Sequence, residues 1–381
     1  MPYLEEFDQI RPFFDSEVKD VIKEIVRERG FLNFVKTFFP EQSTKKIITD
    51  LLQVQNIEEF QRHLIYPLVE RVVNSSISSL RVSGLEKIEK NKSYIFMTNH
   101  RDIVLDSALL EYLFVKNGYR TTEIAIGSNL LILEWILNLV RLNRSFIVKR
   151  DIPHIELYKY SVNLSRYIRY VITEQKDSIW LAQREGRTKD GDDQTQLAVL
   201  KMLNLSNEKE FCDGFRDLNI IPLTINYEIE PLDVEKVQGL YNKIVDPTYK
   251  KTKLDDLTQM MSGMETPKGN VHYAFGTPLN EMIFTVDKIH NRREKFDEIK
   301  RLIDNEIYRN YKLSFYNYVA ADIYFNTNEN EKYYSKEEKL KALDYFENQI
   351  NKIKGEYDVV KPMFLKIYAM PVQNHKKAIN K

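Results

Sequence analysis

Between about Leu80 and Leu279 short apolar runs alternate with helix-patterned stretches, and this alternation restricts the fold more than any other feature of the chain. The runs are Leu80–Val82, Tyr94–Met97, Glu123–Ile126, Phe146–Val148, Ser178–Leu181, Ile220–Tyr227 and Val271–Phe275. Helical periodicity fills the intervals near 106–116, 129–140, 153–174 and 194–203. Strands that alternate with helices must bury both faces of their sheet, so the expected fold class is α/β, a mostly parallel sheet flanked by helices. Ligands of such sheets sit at the carboxyl ends of the strands. Three regions follow: a helical N-terminal region over 1–76, an α/β domain over 77–280 and a helical C-terminal region over 281–381.

In the first region Val18, Val21, Ile22, Ile25 and Val26 form a helical stripe that is expected to end at Gly30. Phe31–Phe39 is a second helix stopped by Pro40, Ser43–Leu52 a third, and Ile57–Val73 a fourth with a kink at Pro67. In the last region Lys288–Tyr311 reads as one long helix and 327–334 as a loop. Ser335-Lys-Glu-Glu338 is a capping-box sequence that opens another helix. The basic tail beyond Asn374 is expected to fray.

The 56 Lys and Arg residues equal the 56 Asp and Glu residues, so overall charge points to no nucleic-acid partner and recognition must come from local clusters. Cys212 is the single cysteine, which rules out an internal disulfide and a Cys-rich metal site; no metal is expected, and a reducing compartment fits. The start, Met-Pro-Tyr-Leu-Glu-Glu, is acidic and without a long apolar segment, so no secretory signal is expected. No window of 18 residues is uninterruptedly apolar, and no spanning helix is expected. The apolar stretch Leu130–Val140, followed by Arg141 and Arg144, suits either a membrane interface or a helix buried against the sheet.

Four local signals carry chemistry. In the first, Tyr94–Met97 runs into Asn99-His100-Arg101-Asp102, and an apolar helix opens at Asp106 and Ser107, both N-cap residue types. A histidine on a strand-to-helix loop, with a carboxylate close by, has one ring nitrogen to be oriented and the other to take a proton from a hydroxyl. A loop cap or surface hydrogen bond is the plainer reading of the same pair. The second signal, Arg141 to Arg150, holds four cations and no acid, with Lys149 and Arg150 directly after a strand. These suit phosphate, or a solvated basic loop. In the third, Ser178–Leu181 leads into Arg184-Glu185-Gly186-Arg187-Thr188-Lys189-Asp190-Gly191, where Gly186 and Gly191 permit tight turns and close approach of backbone to a ligand. The fourth is the strand Ile220–Tyr227, with Pro222 near its start.

In this order the four resemble the glycerophospholipid acyltransferase superfamily (glycerol-3-phosphate or lysophosphatidate acyltransferase-like), over about residues 80–280. Asn99-His100 with its aspartate resembles the family's Asn-His…Asp motif, Phe146–Arg150 its Phe-Ile-Arg block, Arg184–Arg187 its Glu-Gly…Arg block, and Ile221-Pro222 to Tyr227-Glu228 its Pro-containing strand. Val271–Leu279 is similar to the strand that follows the fourth block. Two departures stand out. The family's four-residue interval after the histidine ends here at Leu105, so the partner is Asp106, one residue later, with Asp102 as rival. The third block is one residue short, with Arg187 as the match and Arg184 as alternate.

The resemblance implies transfer of a fatty acyl group from an acyl thioester, acyl-CoA or acyl carrier protein, to a hydroxyl of glycerol-3-phosphate or a lysophospholipid. His100 would be the base. Lys149, Arg150, Arg184, Glu185, Gly186 and Arg187 would hold the substrate phosphate. No cofactor beyond the acyl donor is implied. The setting would be the cytoplasm, with the enzyme peripheral on the inner face of the membrane. No Gly-x-Ser-x-Gly elbow is present, in keeping with direct transfer. A lipid or thioester hydrolase using the same pair, or a non-catalytic peripheral lipid-binding protein, are the alternatives. A protein kinase is excluded: Ser107 stands where its loop asparagine belongs, and no two glycines lie two apart.

Overall fold

The computed structural model describes residues 5–150 and 152–380. The expectation for the N-terminal hexapeptide therefore lies, at residues 1–4, outside the described range. The strands are β1 (Ile77–Ser83), β2 (Ile95–Thr98), β3 (Glu123–Gly127), β4 (Ser145–Val148), β5 (Ile179–Ala182), β6 (Ile220–Tyr227) and β7 (Gly269–Phe275). They form one sheet in the order β1-β7-β6-β2-β5-β3-β4. Every pairing is parallel except β6 with β7. This is the α/β fold with a mostly parallel sheet that the alternation predicts.

The helices before the sheet are α1 (Asp15–Ile25), α2 (Arg29–Phe38), α3 (Thr44–Leu51), α4 (Ile57–Phe60) and α5 (Tyr66–Ser76). A π turn at Gln61–Ile65 joins α4 to α5 just ahead of Pro67. There the proline ring and its missing N–H forbid an ordinary turn. Between strands come α6 (Leu105–Lys116), α7 (Glu134–Leu142), α8 (His154–Tyr170), α9 (Leu197–Leu203), α10 (Phe211–Arg216), α11 (Asp233–Val245) and α12 (Lys253–Glu265). After the sheet follow α13 (Leu279–Met282), α14 (Phe284–Asp287), α15 (Arg292–Arg309), α16 (Phe315–Phe325), α17 (Lys336–Ile350) and α18 (Tyr357–Ile379).

Side-chain alternation along the strands divides the interior in two. Phe96, Trp180, Ile221, Leu223 and Ile225 face a core shared with α1–α6. Ile95, Met97, Ile179, Leu181 and Ile220 face the other, filled by α8, α9, α10 and α15. A third cluster joins α16, α17 and α18 to α11. Pro222 stands one residue before the first β6–β7 pair, Leu223 with Phe275, so its missing donor costs no bond in that ladder.

Several local expectations change. Gly30 does not end a helix; it lies inside α2, where a Cβ would come within 2.4 Å of Trp135 Nε1. Its bare Cα makes room for the indole, which also packs against Phe31 and Phe34. Of the stretch 130–140, Trp135 is thereby packed inward and Ile136 is buried, while Leu133 stays exposed. Arg141 donates to the carbonyls of Arg11 and Asp8, and Arg144 to the carbonyl of Thr121 and to Asp177. The tail does not fray at Asn374: α18 runs to Ile379, held by Asn374 to Asp192 (3.0 Å), His375 to the Tyr308 carbonyl (2.7 Å) and Arg309 to the Ala378 carbonyl (3.1 Å).

Gly191 fastens the loop after β5 to this last helix. It has φ +74° and its Cβ position lies 2.3 Å from the Ile367 carbonyl oxygen. The close approach expected of Gly191 is thus to the chain itself. Gly191→Ala combines left-handed strain with a backbone clash and should lower unfolding free energy by at least about 2 kcal/mol, read from urea denaturation.

Candidate active site

The loop after β2 is pinned at its first residue. Asn99 is fully buried and bridges to β6: its amide oxygen accepts from Ile225 N–H (2.8 Å) and its amide nitrogen donates to the Ile225 carbonyl (3.0 Å). His100 comes next, and its carbonyl accepts from Thr188 N–H (2.8 Å), which ties the loops after β2 and β5 together. The His100 side chain remains 15% exposed, and its Nδ1 lies 2.9 Å from Asp106 Oδ2.

Asp106 has no exposed surface. Besides the imidazole, its carboxylate accepts from Arg101 N–H (2.6 Å) and from the Tyr227 hydroxyl (2.9 Å). The Tyr273 hydroxyl donates to the Asp106 carbonyl (2.8 Å). Burial and the adjacent Asp106 hold both phenols well above their ordinary values, so they remain donors. With Nδ1–H directed at Asp106, Nε2 presents its lone pair. The Trp180 ring meets the imidazole edge at 6.0 Å between centroids.

Asp102, the rival partner, does something else. Its Oδ1 accepts from Val104 N–H (2.9 Å) and Leu105 N–H (2.8 Å), so it is Asp102 that caps the start of α6. Asp106 is not the cap; it lies in the first helical turn and faces back onto His100. The extra residue between His100 and Asp106 is absorbed in the turn that Asp102 closes. Its second oxygen is buried without a partner, 3.1 Å from the Cβ position of Gly263 in α12.

Arg101 extends inward from the same loop. Its guanidinium donates to Asp193 (2.5 Å) and Glu230 (3.0 Å), and its carbonyl accepts from Lys236 Nζ (2.7 Å). Asp193 also accepts from Asn99, Thr188 and Tyr311. Burial opposes the charge on Arg101, but Asp193 and Glu230 outweigh it and hold the group well above its ordinary value. Neither Arg101 N–H nor its guanidinium is turned toward an incoming substrate.

The proposed phosphate ligands separate. Lys149 donates to Gln9 (2.8 Å) and lies over Tyr160, on the side of the sheet away from α6. Arg150 and Glu185 form an ion pair at 2.9 Å. Arg184 keeps a buried, unpartnered Nε. Gly186 has φ +69° and open space around its Cβ position. Arg187 reaches α12, donating to Gln259 Oε1 (2.7 Å), while its Nη1 is buried with no partner. Burial pushes the Arg187 guanidinium down, with Asp102 the chief acid opposing that shift.

Lys189 of the same loop joins Arg187, together with lysines that the sequence did not single out. Burial, then Arg187, Lys243 and Lys251, push Lys189 down to about 8. Burial brings Lys268 to about 8 against the pull of Asp102. Lys189 lies in the third signal, Arg184 to Gly191, whereas Lys243, Lys251 and Lys268 come from α11, the segment before α12 and the approach to β7, and fall in no recognisable motif.

An apolar cavity of about 160 Å³ opens beside the histidine loop, lined among others by Val104, Ala108, Leu139, Trp180, Met261 and Met264. Trp180 both lines it and touches His100, so the cavity and the imidazole are neighbours. A larger groove of about 710 Å³ lies at the amino ends of β2 and β6, lined by Ser93, Lys176, Arg216 and Asn219, away from this chemistry. Among the described residues no cluster of three or more His, Cys, Asp and Glu could hold a metal.

Residues 79–206 match the family model described as Acyltransferase. The match covers 128 of the 381 residues. The matched segment runs from within β1 through α9 and contains the histidine, its aspartate and Arg187, while β6, β7, α11 and α12 lie beyond it. The crystal structure of the 1-acyl-sn-glycerophosphate (LPA) acyltransferase PlsC from Thermotoga maritima is similar to the chain at a TM-score of 0.37 and 12% identity, covering 75% of this chain and 91% of that one. No curated protein matches the chain in sequence.

Two measurements check this geometry. Nitrogen-15 NMR of the His100 ring should show the Nδ1-protonated tautomer, and Asp106→Asn should remove that preference. Lys189→Met should be more stable than the parent at pH 7, because the folded parent carries a desolvated cation there. Its folded value of about 8 lies below the ordinary 10.5, so the unfolded chain holds the extra proton between them and the parent gains stability as pH rises. The advantage of Lys189→Met in melting temperature should therefore shrink across that window.

Proposed function

We propose that the protein transfers a fatty acyl group from an acyl thioester, carried by coenzyme A or acyl carrier protein, to a hydroxyl of glycerol-3-phosphate or a lysophospholipid. The observation that carries this reading is the contact of His100 Nδ1 with the buried Asp106 carboxylate, on a partly exposed ring next to an apolar cavity. His100 Nε2 takes the proton of the acceptor hydroxyl, and the oxygen attacks the thioester carbonyl carbon. The tetrahedral intermediate collapses by expelling the thiolate, which recovers the proton from the imidazolium, leaving an ester and a free thiol. Arg101 N–H is committed to Asp106, so the oxyanion takes its donor from elsewhere. The acyl chain lies in the cavity walled by Trp180 and the methionines of α12, and Arg187 Nη1 meets the acceptor's phosphate.

A lipid product requires contact with a bilayer, and docking is peripheral, on its cytoplasmic face. Among the described residues no helix is long and apolar enough to cross a membrane. Exposed apolar side chains past the carboxyl ends of β3 and β4, among them Leu133, Tyr158 and the 90% exposed Ile155, supply surface for such docking.

Purified protein supplied with a labelled acyl thioester and a panel of acceptors tests the reading. His100→Ala should lower turnover by about 100–10,000-fold with an unchanged circular dichroism spectrum. Arg187→Ala should chiefly raise the acceptor KM. Retained turnover in His100→Ala would overturn the base assignment, and release of free fatty acid without acceptor would identify a hydrolase.

A further inference from the structure

The two tryptophans of the chain both line the apolar cavity, and the indole nitrogens of both are buried with no hydrogen-bond partner. Among the described residues of that wall, no other buried side-chain polar atom is left in this state. An indole nitrogen can only donate, so it needs an acceptor, and the protein supplies none. A buried N–H so placed gives up its hydration without compensation. A phenylalanine would fill the same wall without that cost.

The two indoles differ in place. Trp135 Nε1 lies against α2, 2.4 Å from the position a Cβ would take on Gly30. Trp180 stands in β5 between Phe96 of β2 and Ile124 of β3, and its ring meets that of His100 edge to face, 6.0 Å between centroids and 76° between planes. Donors around the imidazole are otherwise committed. The Asp106 carboxylate takes Arg101 N–H and the Tyr227 hydroxyl, the Asp106 carbonyl takes the Tyr273 hydroxyl, and the His100 carbonyl takes Thr188 N–H. Arg184 Nε and Arg187 Nη1 have no partner, but neither residue lines the cavity.

A fatty acyl chain has no acceptor along its methylenes; its one acceptor is the carbonyl oxygen at the thioester end. That end must lie beside His100, where the acceptor hydroxyl gives up its proton, and the uncommitted N–H there is that of Trp180. We propose that the Trp180 indole N–H is the oxyanion donor of the acyl transfer, bonding the thioester carbonyl oxygen and the charge this oxygen gains when it is attacked. The inference rests on the acyl-transfer reading and adds a catalytic residue to it. As the hydroxyl oxygen bonds to the carbonyl carbon, the π pair of the C=O moves onto its oxygen and the bond from the indole strengthens. The pair returns as the C–S bond breaks. The thiolate leaves with the imidazolium proton, and the indole keeps its own proton throughout. Between apolar walls an N–H is worth more to an anion than to a neutral carbonyl, so this bond lowers the barrier more than it tightens donor binding.

Nitrogen-15 labelling of the tryptophans in the full chain yields two indole N–H signals, which Trp135→Phe assigns, so the contact is read with Trp180 itself intact. Two pantetheine thioethers serve as probes, since pantetheine is common to coenzyme A and acyl carrier protein. In one, a methylene separates a long-chain ketone from the sulfur, so the carbonyl is present but the chain cannot transfer; the other carries the alkyl chain alone. The ketone should move the Trp180 indole proton downfield of its position with the alkyl probe. In turnover, benzothiophene in place of the Trp180 indole, which exchanges N–H for sulfur at nearly the same shape, should lower kcat by about 100-fold with little change in the donor KM. Trp180→Phe should lower it similarly, and melting temperatures show which variant is folded. The same Trp180 signal with both probes, or a parent-like kcat in the benzothiophene protein, would overturn the proposal. Parent-like kcat there beside an inactive His100→Ala would remove Trp180 alone and leave acyl transfer standing; a parent that transfers from no acyl thioester would remove the reading itself.

Discussion

The Asp106 carboxylate is the point on which the arrangement turns. It lies in the first turn of α6 yet must face backward to the strand end from which the histidine comes. That is achieved because another acid, Asp102, takes the capping role and lets the helix begin one residue earlier. The carboxylate is then surrounded by an imidazole, a backbone amide and a phenol from β6. Tyr227 reaches it from the antiparallel pair β6–β7, whose other strand supplies Tyr273 to the Asp106 carbonyl. A buried carboxylate without such donors would cost several kcal/mol. With them it becomes a fixed support for one orientation of one ring.

The same loop is held from inside by buried ions. Arg101 and Lys236 face Asp193 and Glu230, two charges of each sign within a few bonds. Such a set adds little net stability over well-packed apolar residues, but removing one member leaves a charge unpaired, so it fixes geometry more than it strengthens the fold. Its outer members reach further. Asp233, raised to about 6 by burial, accepts from Tyr345 and Tyr368, and Glu230 N–H donates to Tyr368 (3.1 Å). The C-terminal helices are in this way joined to the histidine loop through polar contacts as well as packing.

What the sequence disclosed follows from what is local. Short apolar runs and the strand-loop-helix around His100 are short-range patterns, so the seven strands and the histidine loop were legible in outline. Choosing between Asp102 and Asp106 needed the turn geometry between them. Lys149, Arg150 and Arg187 look alike as cations after strands, and only their partners separate them: Gln9, Glu185 and Gln259 are 140, 35 and 72 residues away. Helices α11 and α12 escaped notice because their apolar faces are interrupted, that of α12 by reliance on methionine, and the lysines they bring carry no signature. Gly30 misled because a glycine that admits an indole looks, in one dimension, like a glycine that ends a helix.

The family match stops at residue 206, but the ions that steady its histidine do not. Glu230, Lys236 and Tyr311 all lie downstream. A fragment trimmed to the matched stretch would leave the Arg101 guanidinium with Asp193 alone of its two carboxylates and drop the support beneath the Arg101 carbonyl. The unit that can be moved, fused or swapped between chains is therefore larger than the recognisable one, and any excision has to carry the distal half along as counter-charge.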